Sequence, residues 1–117
     1  MTAQGPAWHG VHHIALVTPD MASTIAFYVG TLGLTVPRDF PPEGPRGRHC
    51  LIAVGGASGS FLHFFERPDA VITPYPLARG VVFLPEMGPL HHVALALPDA
   101  AAGEDLRGRL VASGRFC

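Results

Sequence analysis

Residues 11–22 read VHHIALVTPDMA, and residues 90–101 read LHHVALALPDAA. At an offset of 79, seven of the twelve positions agree: both histidines, an Ala, a Leu, the Pro-Asp pair and a closing Ala. Solenoid repeats recur every 20–50 residues or so, and this wider spacing predicts two copies of a larger unit. Each copy opens on about seven aliphatic and β-branched residues, the composition of a strand, and runs into Pro-Asp. Asp20 and Asp99 are good N-caps whose charge suits the positive end of a helix dipole, so each copy predicts strand then helix.

The first helix is predicted over 21–32, with Met21, Ile25, Tyr28 and Leu32 at helical spacing and Gly33 as its stop. The pair Phe27–Tyr28 reads as core. Next come a short strand at 34–37, a Pro/Gly-rich loop at 41–47, and strands at 49–54 and 60–66 joined by Gly55-Gly56-Ala57-Ser58-Gly59. That Gly-rich segment superficially suggests a phosphate loop, but it joins two strands with no helix after it, so a hairpin turn is favoured. The unit is β-α-β-β-β and the fold class α+β. The second helix is predicted over 100–113, halting at Gly114. After Gly114 only three residues follow, whereas the first unit uses residues 34–66 for its three later strands. The chain thus divides into a first module (11–66), a linker (67–89) whose VVFL at 81–84 reads as a short strand or a clasp on a partner, and the start of a second module (90–117), all within one domain of 1–117. Missing strands leave an open sheet edge, which predicts an assembly, a homodimer first of all.

Composition narrows the function classes. The 117 residues carry eight basic and nine acidic side chains for a net charge of −1, which gives no electrostatic footprint for nucleic acid or an anionic membrane. Every basic residue is Arg; Lys and Asn are absent, so lysine Schiff bases, the Walker-type phosphate loop and N-glycosylation are excluded. Charged residues make up 15% against about 25% in an ordinary soluble domain, consistent with surface covered by a partner. Cys50 and Cys117 make neither a disulfide framework nor a C-x-x-C site, and Cys50 reads as a small buried residue. With no signal pattern and no apolar run of about 18 residues, the expected location is cytoplasmic.

Seven histidines stand out. Alternation along a strand places Val11, His13, Ala15 and Val17 on one face and His12, Ile14 and Leu16 on the other. In the copy, His92, Ala94 and Ala96 oppose His91, Val93, Leu95 and Leu97. The bulkier sets suit packing beneath a helix, so His13 and His92 are assigned to a shared pocket and His12 and His91 to the strand entrances. In the strand 60–66, His63 shares a face with Phe61 and Phe65, which read as an aromatic pocket wall. Glu66 points the other way and is the fallback for His63. Three neutral imidazoles, His13, His63 and His92, would hold a divalent ion (Fe, Zn, Mn or Ni) with positions left open for water or substrate. Arg48, with Arg46, is a candidate for a substrate carboxylate or phosphate, although a solvated charge is the commoner fate of a loop Arg. His9 and His49 are read as non-functional, His49 as the start of a strand.

The segments HHIALVTPDMASTIAFYVGTLGLTV (12–36), SFLHFFERPD (60–69) and HHVALALPDAAAGEDLRGRLVASG (91–114) resemble the vicinal oxygen chelate superfamily of glyoxalases, bleomycin-resistance proteins, fosfomycin-resistance enzymes and extradiol dioxygenases. The resemblance implies paired βαβββ modules, here with the second incomplete, whose curved sheets form a cleft. It also implies one metal ligand from the first and last strand of each module: His13, His63 and His92 by position. The fourth ligand, usually a Glu on the last strand of the second module, has no counterpart. The family implies a metal-dependent lyase or dioxygenase that chelates neighbouring oxygens of a small substrate, with Glu66 as fallback base. A metal-free drug-binding protein of the bleomycin-resistance type, or an inactive relative, are the alternatives.

Overall fold

Apolar residues alternate along three successive strands, and that alternation builds a sheet with one covered and one open face. In the computed structural model, residues 5–55, 59–72, 90 and 92–115 are described. The linker positions 73–89, His91, Cys117 and the centre of the Gly-rich turn lie outside the described residues. The elements are β1 (His13–Thr18), α1 (Met21–Ile25), which continues as a π-helical stretch at Ala26–Thr31, β2 (Thr35–Phe40), β3 (His49–Ala53), β4 (Phe61–Glu66) and α2 (Ala100–Ala112).

The strands form one sheet of order β1-β4-β3-β2. Sequence neighbours β2, β3 and β4 pair antiparallel, while β1 crosses over α1 to lie parallel to β4, with His13 opposite Phe61 and Ala15 opposite His63. β2 runs longer than the spacing predicts, to Phe40, and its register shifts between Thr35 and Arg38. Pro37, which has no N–H to give a ladder, lies inside that irregularity.

α1 covers one face. Met21, Cys50, Ile52, Leu62 and Phe64 are buried there, and Leu16, Ile25, Tyr28, Leu34, Val36 and Val54 pack around them. The Asp20 carboxylate accepts the Ser23 N–H as an N-cap, and Glu66 Oε2 accepts the Met21 N–H at 2.8 Å, so two acids meet the free donors of the first turn. The predicted helix 21–32 departs from α geometry after Ile25: the Leu32 N–H bonds back five residues to the Phe27 carbonyl. Gly33 then takes φ +77°, the left-handed conformation that ends a helix without a Cβ clash.

The second copy departs from expectation. α2 forms as predicted, capped by Asp99 and stopped at Gly114 with φ +74°. The strand predicted in front of it does not: residues 92–97 are extended chain outside the sheet. Of these residues only Val93 is part-buried, packed against the core of the first module, while Leu95 and Leu97 are exposed. A strand exists through its ladder, and among the described residues no strand offers one to 92–97.

Candidate functional site

The open face of the sheet is set by register. His13, Ala15 and Val17 on β1 stand beside Phe61, His63 and Phe65 on β4, which stand beside Ala53, Leu51 and His49 on β3, with Phe40 opposite His49 on β2. Three imidazoles and three phenyl rings therefore share one face.

His63 sits at the centre. Its ring lies 5.7 Å from that of His13, stacks on Phe65 at 4.2 Å, and its Nε2 is 3.0 Å from His49 Nδ1. Burial, then the charges of His49 and His13, lower the His63 pKa below its ordinary 6.5, which favours the neutral ring. His49 is 8% exposed and lies between two phenyl planes, Phe40 at 4.5 Å and 13° and Phe65 at 5.4 Å and 15°. At the other end, His13 Nδ1 is 2.9 Å from His12 Nδ1, and the His12 ring lies 5.6 Å from Phe61. The assignment of His12 to the opposite surface is thus corrected: it precedes the first ladder residue, escapes the alternation and joins the Phe61 side.

The expected site residues divide clearly. His13, His63, Phe61 and Phe65 lie on this face. Glu66 is spent on the helix side, as the acceptor for Met21. Arg48 is held by Asp39 through Nη2 at 2.8 Å and Nε at 3.2 Å. Arg46 closes the exposed turn at Gly44-Pro45, with paired backbone bonds to Glu43. Tyr28 packs into the core against Phe64, whereas Phe27 lies under Arg115. His92 is exposed. Among the described residues no group of three His, Cys, Asp or Glu is placed to hold a metal ion, so one copy of the chain does not by itself fit the three-imidazole centre.

Sequence reasoning missed His49 and Phe40. The signal was available. Cys50, Ile52 and Val54 alternate along the strand, which puts His49 on the opposite face. A hairpin centred in the Gly-rich turn pairs residue 51 with 63 and 49 with 65, so His49 and His63 share that face.

Comparison with known proteins adds a family and a fold. The model of the Glyoxalase/Bleomycin resistance protein/Dioxygenase superfamily matches residues 10–116. The crystal structure of SMU.1112c is similar with a TM-score of 0.53 at 21% identity, over 90% of this chain and 74% of that one. A search of curated proteins finds no match.

Proposed function

We propose a function from one premise: this chain belongs to the Glyoxalase/Bleomycin resistance protein/Dioxygenase superfamily. It binds a small, partly aromatic molecule carrying oxygen acceptors against the open sheet face, between Phe61 and Phe65, with His13 and His63 meeting its polar groups. The observation that carries this reading is the meeting of His13, His49 and His63 with Phe40, Phe61 and Phe65 on the sheet face opposite α1. Aromatic walls with a few placed polar groups are the usual make-up of a small-molecule site.

A single sheet face is only a wall. A second copy of the chain closing over it makes a cleft, and the exposed Leu95 and Leu97 are apolar surface available to such a pairing. Binding is tested by chemical-shift mapping with small aromatic hydroxy and keto acids. Shifts confined to His13, His63, Phe61 and Phe65 support the reading; shifts elsewhere, or none, overturn it.

The metal-dependent reading rests on the 5.7 Å approach of His13 and His63. It requires a third donor, and His92 of a second copy is the candidate. Metal content after chelator-free purification decides it. A stoichiometric divalent ion, lost in His13→Ala, His63→Ala and His92→Ala alike, supports an enzyme of the lyase or dioxygenase kind; a metal-free protein leaves the binding role.

A further inference from the structure

We propose that His49 is the positioning residue of this face: it accepts the Nε2–H of neutral His63, so Nδ1 is the one lone pair His63 can offer. A hydrogen bond between two imidazoles needs an N–H on one ring and a lone pair on the other, and the contact is 3.0 Å between His49 Nδ1 and His63 Nε2. Two neutral arrangements satisfy it. If His49 donates from Nδ1, both rings carry their proton on Nδ1. If His63 donates from Nε2, both carry it on Nε2.

The second arrangement puts each ring in the tautomer that an imidazole side chain intrinsically prefers, whereas the first puts neither there. Stacking fixes the plane of the acceptor. With Phe40 and Phe65 nearly parallel to it, the His49 ring is confined to one plane, and within that plane the hydrogen bond selects the edge that carries Nδ1 to face His63.

The consequence is specific. With His49 as donor, His63 would have no lone pair left, since Nε2 would accept and Nδ1 would carry the proton. With His49 as acceptor, Nδ1 is open to an ion, a substrate hydroxyl or a proton. The use of that lone pair rests on the function proposed above; the tautomer does not. The pair His12–His13 makes the contrast: a contact between two Nδ1 atoms forces one neutral ring into the less favoured form.

Long-range proton–nitrogen NMR of the histidine-labelled full chain, about one pH unit above 6.5, tests the assignment without any ligand. The expected result is a pyrrole-type Nε2 and a pyridine-type Nδ1 on His63, with a nitrogen–nitrogen coupling across the hydrogen bond to His49 Nδ1. A pyridine-type Nε2 on wild-type His63, or no coupling, overturns the proposal. His49→Phe keeps a stacked ring and removes the acceptor; the coupling and the protected Nε2 proton disappear and the His63 shifts move toward a mixed tautomer. His49→Gln offers Oε1 and restores the single tautomer. His63 shifts unchanged in His49→Phe would also overturn it, and a failure of the ligand or metal experiments leaves all these readouts intact.

Discussion

Residues 13–18 and 92–97 agree at three of six positions, with Ile14 and Val93 an apolar swap, and have different structures. HIALVT is a strand, with Ile14 and Leu16 half-buried and Thr18 buried against α1, and with β4 parallel alongside. HVALAL is extended chain with one part-buried residue, Val93. Both run into a capping Asp and a helix, so local propensity is not what separates them. The difference lies in what the following residues supply. After Gly33 come 33 residues that form three strands and complete a covered face; after α2 nothing comparable is described. Strand propensity is a statement about fitting a pleated, half-buried surface, and of these two related hexapeptides HIALVT meets that surface.

The contrast can be broken most decisively through stability. Ile52→Ala opens a cavity beneath α1 and is expected to cost about 2–5 kcal/mol, read from urea denaturation. Val111→Ala on α2, at an exposed position, is expected to change stability by about 0.5 kcal/mol or less. Equal losses would mean the two copies are built alike after all.

The next effect concerns Leu97. If the copied segment serves the pairing of two chains, Leu97→Ser weakens self-association about 10- to 100-fold, the equivalent of burying one aliphatic side chain, measured by sedimentation. The urea midpoint of the monomer stays put. A midpoint that drops while association is unchanged would place 92–97 inside the first module's cooperative unit.

A smaller effect isolates the helix starts. Asp99→Ala removes the acceptor for the Ala102 N–H and should weaken α2 by about 1 kcal/mol, seen as lost helical circular dichroism with the β-sheet signal unchanged.

The smallest concerns acid. Hydrogen bonds from Ser23 hold the Asp20 carboxyl below its ordinary 3.8, and the Arg48 guanidinium does the same for Asp39. Both folded values are depressed, so this stability is present above about pH 3.8 and is lost as the pH falls through the folded values. Asp39→Asn should flatten part of that acid limb, by less than about 1 kcal/mol because the ion pair is exposed.

Much of the fold was legible because it is local. The Asp caps, the glycine stops and the period-2 alternation of β3 and β4 each act within a few residues, and they place the first module's helix and these two strands, whereas β2 runs on to Phe40. The π-helical stretch was not legible, since the stripe Met21, Ile25, Tyr28 and Leu32 suits the α pattern. The copied strand was misread because a missing ladder leaves no mark within its own six residues. On the open face, His13, His63, Phe61 and Phe65 followed from alternation within a strand. His49 and Phe40 required alternation to be carried across strands through the hairpin register, and Arg48 looked free because its partner, Asp39, comes from β2.

The parallel union of β1 with β4 has a kinetic side. It joins residues far apart along the chain: His13 and Phe61 are separated by 48 positions, and the twin residue His92 lies 31 from Phe61. Closing the shorter loop costs about 0.4 kcal/mol less, so chain entropy leans slightly toward the wrong tenant. The seat below β1 also differs between the two copies. Thr18 and Thr24 meet at 2.6 Å in the seat below β1, where the duplicate carries Leu97 and Gly103. An impostor strand would crowd a larger side chain into the slot of a buried threonine and deprive Thr24 of its mate. The Thr18–Thr24 pair thus suits β1 to this seat better than its copy.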